Sequence, residues 1–314
     1  NGYSLRSKLF AHNTKLNKLG SKVSGLTNAI YNSETLGGLL KKSSGVAKER
    51  SMPNVYNFNF NKHLEKTRLE HVTSKKSIVL YIDEFTQYMD IELGKDAIDV
   101  LLKLGYDVQL FFAESGRTYI SKGFLKQAKK IALDNIDKLK VYAAKNIPVV
   151  GLEPSAVLTF RDEYKRFTED KETTNAIAAN SFIIEEFLAS EIKNGVITAD
   201  LFTKESKKIK IHGHCHQKAL SNQKVTFDIL NLPENYEVTI ITSGCCGMAG
   251  SFGYEKEHYE VSMQIGELKL FPAVRKASED TIISANGTSC RHQIYDGTKR
   301  QAKHPISILK EALL

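Results

Sequence analysis

Cys215, Cys245, Cys246 and Cys290 are the only cysteines in a sequence of 314 residues, and all four fall in its last hundred. Cys245 and Cys246 are adjacent inside the glycine-rich turn Ser243-Gly244-Cys245-Cys246-Gly247-Met248-Ala249-Gly250-Ser251-Phe252-Gly253. Cys215 sits in His212-Gly213-His214-Cys215-His216, and Cys290 in Asn286-Gly287-Thr288-Ser289-Cys290-Arg291-His292. No secretory signal pattern accompanies them, which argues against a disulfide framework and for ligation or thiol chemistry. Zinc favours C-x-x-C knuckles whose thiolates bend toward one ion; there is none here, and adjacent thiolates are awkward around a single tetrahedral ion. An iron–sulfur cluster offers several irons, so neighbouring thiolates can each find one. The flanking glycines permit a tight backbone whose amides approach bound sulfide. Three chemistries stay open on the residues alone: a cluster, a zinc ion, or a metal-free thiol site. In the last, a Cys245–Cys246 disulfide would be strained and readily reduced.

Histidines crowd the same segments: His212, His214, His216 and His292. An imidazole beside a cluster can ligate iron, donate to sulfide or relay a proton. His212 reads more simply as a histidine satisfied inside the fold. His214, His216 and His292 are the candidates for support, with Arg291 as a counter-charge to a thiolate-bound centre. Arg291 reads equally as a surface ion pair, Lys218 as solvated, and His258 as structural. In the other half of the chain, Arg117 and Arg161 could clamp a carboxylate. A salt bridge from Arg117 to Glu114 or Glu153 is the simpler reading.

Positioning these residues requires a sheet. Ser77 to Ile82 is a short continuous apolar run, as a strand buried on both faces should be. Strand-like segments follow at 106–112 and 147–152, separated by helical spacing over 97–104 and 123–144. The order then recurs: strands at 208–212, 237–242 and 281–284, and helices over 217–230, over 255–271 ending before Pro272, and over 304–314. Residues 170–200 between the halves read as mostly helical. Alternating strands and helices imply parallel βαβ units. Laid over one another, the halves place Glu84 on Cys215 and Glu114-Ser115-Gly116 on Cys245-Cys246-Gly247, with the same separation of 30 residues in each. Ala156 falls near Cys290. Each cysteine lies just past a strand end, where open parallel sheets build their sites. They should therefore converge on one edge of the sheet.

Hydrophobic content of 41% and charged content of 25% are those of an ordinary globular chain. No apolar run is long enough for a membrane span. The net charge of +8 is concentrated in the first seventy-five positions. No aromatic-interleaved basic stripe or nucleic-acid motif accompanies it, so a solvated face or docking onto an acidic partner is expected, and not nucleic-acid binding. The chain opens Asn1-Gly2-Tyr3 without Met and reads as part of a longer polypeptide or a processed chain.

The segments His214–Leu220, Ser243–Tyr254 and Asn286–Gln293 resemble the cysteine-rich CCG domain. That domain occurs in the B subunit of heterodisulfide reductase, in the iron–sulfur subunit of glycolate oxidase, in the C subunit of anaerobic glycerol-3-phosphate dehydrogenase, and at the C-terminus of FAD-linked oxidases of the D-lactate or D-2-hydroxyglutarate dehydrogenase type. The last group is the most similar, through Met248–Gly253 and Gly287–His292. The resemblance covers roughly 77–314. It implies an oxidoreductase module that passes electrons from a flavin to an acceptor, with a [4Fe–4S]-type centre held by Cys215, Cys245, Cys246 and Cys290. FAD and a ferredoxin-like module are expected outside this chain, which has no G-x-G-x-x-G after a strand. Full family members carry cysteines in the first half, where this chain has Glu84, Glu114, Ser115 and Ala156. Glu84 and Glu114 could instead supply oxygen ligands or proton relays. Gln293 stands where the family's non-cubane form has a further cysteine. The expected architecture is α/β, with two pseudo-symmetric parallel Rossmann-like halves: a helical extension over 1–75, a cysteine-free half over 76–168, a helical linker over 169–204 and the cysteine half over 205–314. A cytoplasmic setting is expected, compatible with peripheral association at the inner membrane face. The alternatives are a zinc-binding scaffold and a thiol–disulfide catalyst.

Overall fold

Ser77–Ile82 (β1) is buried along nearly its whole length and forms the centre of the first sheet. It pairs in parallel with Asp107–Phe112 (β2) on one side and Val149–Gly151 (β3) on the other. Ser181–Ile183 (β4) extends the sheet beyond β3. The second sheet repeats the plan. Lys207–His212 (β5) lies between Tyr236–Ile240 (β6) and Ile282–Ala285 (β7), and Ala302–Lys303 (β8) flanks β7. The strand orders are β2-β1-β3-β4 and β6-β5-β7-β8, the same order when β5 is laid on β1. This computed structural model describes residues 2–70 and 76–314. Asn1 and residues 71–75, where the sequence places the junction of extension and first half, lie outside the described residues. The α/β class with two all-parallel halves is as expected.

Several elements differ from the sequence reading. β4 lies within a stretch expected to be mostly helical, and β8 has two residues. Neither is long enough to show a period-2 pattern. The helix expected over 217–230 is two, Cys215–Leu220 and Lys224–Leu230, interrupted where Ser221 leaves the helical region. The helix expected to end before Pro272 is also two, Tyr259–Glu267 and Leu270–Arg275. Pro272 sits in the first turn of the second, where its missing N–H has no intrahelical partner to lose.

One apolar core crosses between the halves. Leu80, Ile98 and Leu101 of the first pack in a single cluster with Ile211, Ile229 and Ile308 of the second. Each such buried side chain contributes on the order of 1.5–3 kcal/mol. Five short helices lie in the extension: Phe60–Arg68, and before it four in succession, Leu5–Ala11, Asn13–Ser21, Ser24–Asn32 and Glu34–Ser44. Gly45, at φ 70°, ends the last of them. The strap that follows bridges antiparallel to the second half at Val46 and Glu255. Among the described residues, no helix is long and apolar enough to cross a membrane.

Candidate metal centre

β5, β6 and β7 run parallel, so the loops leaving their carboxyl ends emerge on one side of the sheet. Cys215 opens the helix after β5, and His214 caps that helix by accepting the His216 amide at 3.1 Å. Cys245 and Cys246 lie in the turn after β6. Cys290 lies in the first turn of Thr288–Thr298, after β7. All four line one cavity of about 490 Å³, together with His214, His216 and His292. Cys215 is exposed, Cys245 half-buried, and Cys246 and Cys290 are buried; all are free thiols. The neighbouring sulfurs push the Cys215 and Cys246 thiols up and the Cys245 and Cys290 thiols down. Thiolate is the form that binds metal.

His212, the last residue of β5, was expected to be satisfied inside the fold. It is fully buried, and its Nδ1 meets Ser243 Oγ at 2.7 Å. Its Nε2 has no hydrogen-bond partner. A ring nitrogen of His212 lies within 4.8 Å of both the Cys246 and Cys290 sulfurs. An orphaned buried polar atom costs about 1–3 kcal/mol. A soft N/S donor set this compact fits a thiophilic metal or the edge of a cluster. The signal available in the sequence was position: His212 ends the central strand of the cysteine half, three residues before Cys215.

The turn bearing the vicinal pair is held from three sides. Lys218, read from sequence as solvated, donates to the carbonyls of Ser243 at 2.7 Å and Gly244 at 2.9 Å. The Gly247 amide points at Cys245 Sγ, 3.3 Å away. Gly247 has φ 99°, and a Cβ there would meet Ser262 O at 2.1 Å, so only glycine fits. Arg50, from the extension, is fully buried among these elements. It donates to Gly253 O at 2.7 Å, Gln293 Oε1 at 2.6 Å and Ser262 Oγ at 2.8 Å, and pairs with Asp296 at 3.1 Å. Gln293 is thus wired into the scaffold. From sequence, 1–75 reads only as a basic helical extension; nothing local distinguishes Arg50 from the solvated cations around it.

The first half contributes Glu153. Its carboxylate caps its own helix at Ser155 and accepts the Thr288 amide at 2.7 Å, bracing the helix that carries Cys290. Glu84 accepts from the Ser115 amide at 2.8 Å and hydroxyl at 2.6 Å. These are the positions aligned with Cys215 and Cys246, so a carboxylate–hydroxyl bridge closes the loops that sulfur occupies in the second half. Burial, with the charge of Asp83, pushes Glu84 up. Burial also raises Glu114, whose Oε1 has no partner.

The remaining candidates divide. His214 and His216 stack at 5.4 Å, and burial with the Arg117 charge pushes His216 down to about 4. Burial also lowers His292. Arg291 pairs with Asp90 at 2.6 Å and donates to the carbonyls of Ala285 and Asn286, so its charge is already shared. Arg117 pairs with Glu163, not Glu114 or Glu153, and Arg161 with Glu186 at 2.5 Å. Each arginine is committed to its own acid and they form no clamp.

Comparison with known proteins adds a class. The chain is 25% identical to the C subunit of anaerobic glycerol-3-phosphate dehydrogenase from Escherichia coli (strain K12), over 99% of this chain and 78% of that protein. It is 30% identical to D-2-hydroxyglutarate dehydrogenase of the same strain, over 81% of this chain and 24% of the relative. The Pseudomonas putida enzyme of that name is 28% identical over 91% of this chain and 28% of its own length. Its relatives are dehydrogenases. The expected oxidoreductase class stands. The chain spans about a quarter of the D-2-hydroxyglutarate dehydrogenases it matches. No family model matches it.

Proposed function

We propose that this chain is a CCG-type electron-transfer module of a flavin-dependent dehydrogenase acting on a 2-hydroxy acid, with Cys215, Cys245, Cys246 and Cys290 holding a [4Fe–4S]-type centre. The observation that carries this reading is the meeting of four free thiols, from three separate strand ends, in one cavity. When bound, such a centre accepts and releases single electrons. The chain's own residues shape its surroundings. Lys218, Gly247 and Arg50 fix the turn, Glu153 fixes the Cys290 helix, and the apolar wall, including Phe10, Met52, Phe85 and Met89, limits water.

FAD belongs to a partner domain or a separate flavoprotein, and a ferredoxin-like module carries electrons between them. The extension is the face we assign to that partner. Nine basic and two acidic residues lie in 1–50, against a whole-chain net charge of +8. Leu19, Leu26 and Leu39 are exposed there. An acidic partner with an apolar contact patch is complementary to that surface. Peripheral attachment to an inner membrane face and a cytoplasmic setting belong to the same proposal.

A structural zinc ion is the second reading, favoured by the compact His212, Cys246 and Cys290 set. Protein purified without oxygen separates the two. Iron and acid-labile sulfide with visible charge-transfer absorption support the cluster. About one equivalent of zinc in colourless protein supports the scaffold.

A further inference from the structure

The geometry points to His212 Nε2 as a direct ligand of the iron–sulfur centre, alongside the buried thiolates of Cys246 and Cys290. This rests on the cluster reading above and goes beyond it, since that reading draws on sulfur alone. Three observations carry it. One ring nitrogen of His212 lies within 4.8 Å of both sulfurs. Nε2 has no hydrogen-bond partner among the described residues although the side chain is fully buried. The opposite nitrogen is already engaged, with Nδ1 2.7 Å from Ser243 Oγ.

The serine decides which nitrogen keeps the proton. Ser243 Oγ is 3.4 Å from the Ile241 carbonyl, which can only accept, so the hydroxyl proton has a destination there. In the tautomer where the hydroxyl oxygen accepts Nδ1–H, Nε2 keeps the lone pair that a metal can take. A ligating histidine characteristically donates its other ring N–H to a neighbour in this way, which fixes tautomer and ring plane together. The ring has no slack. His212 is paired with Ala285 inside the sheet, and Ser243 lies at the start of the cysteine turn. A nitrogen ligand brings no negative charge to an iron, whereas a thiolate brings one, so the potential is higher with imidazole than with thiolate at position 212.

The test is pulsed electron paramagnetic resonance on the full chain, loaded with iron and sulfide without oxygen, reduced, and labelled with ¹⁵N-histidine. His212→Gln keeps a polar amide in place of the ring but supplies no imidazole ligand. His212→Cys supplies a thiolate. The expected result is strong nitrogen coupling in the parent, its loss in both variants, and a lower reduction potential in His212→Cys with iron retained. Iron bound in the parent with only weak coupling, unchanged in His212→Gln, overturns the nitrogen ligand and leaves the cluster reading standing. A parent chain that retains no iron overturns both. Circular dichroism of each variant before loading confirms that the fold is intact.

Discussion

Sulfur at the strand ends makes the chemistry, and single residues decide whether it is held. Cys290→Ser should remove the metal nearly completely, because it deletes a buried donor at the cavity floor. Lys218→Met should leave every sulfur in place yet weaken metal retention by about 10–100-fold, the usual cost of losing a residue that orients ligands. Competition against a chelator measures both. Glu185 offers a test at the same scale with no metal involved. It is fully buried, and His304 Nε2 stands 3.9 Å away. Burial raises its pKa from 4.5 to about 7. The folded chain therefore keeps a proton that the unfolded chain loses, so stability falls as pH rises from 4.5 to about 7 and levels off above. At about 1.4 kcal/mol per pH unit, the loss is roughly 3 kcal/mol. Glu185→Gln should abolish that slope, and urea denaturation across the window reads it directly. A slope unchanged in the variant would show that Glu185 is not its source.

Elements carry those residues to one place, and Arg50 ties three of them. It joins the end of the cysteine turn at Gly253, the helix Tyr259–Glu267 at Ser262, and the Cys290 helix at Gln293 and Asp296. Arg50→Ala strands Asp296 without its cation in a buried site and should cost about 3–5 kcal/mol. Denaturant midpoints at constant slope would check it. Gly287→Ala should also weaken the site, since a Cβ there would lie 2.4 Å from the His214 ring. The central strand of the first half was legible as a continuous apolar run over 77–82, whereas that of the second, Lys207–His212, alternates lysine with isoleucine. The loop equivalence was legible because 30 residues separate the aligned positions in each half. β4 and β8 were not, being too short to show a period. Nor was Arg50, whose partners lie more than 200 positions away. The same holds for His212: its burial is legible as a strand end, but its orphaned nitrogen appears only when Ser243 closes on the opposite side.

At the scale of the whole molecule, two repeats of one sheet plan have taken different solutions to the same loop problem. Glu84 and Ser115 close the first with hydrogen bonds, while the second leaves four thiols facing a cavity that the extension roofs over. Metal binding should therefore stabilise the halves unequally. Loading should raise the melting temperature and slow amide exchange in 212–218, 243–253 and 287–293, with little change in the loops at Glu84 and Ser115. Uniform protection of both halves would contradict that asymmetry. The central claim is that those thiols share one iron-containing guest, and anomalous diffraction at the iron absorption edge tests it most directly. The account predicts an iron peak in the cavity within bonding distance of Cys245, Cys246 and Cys290 in crystals grown without oxygen. No iron peak there, or a single peak at the zinc edge instead, would contradict it.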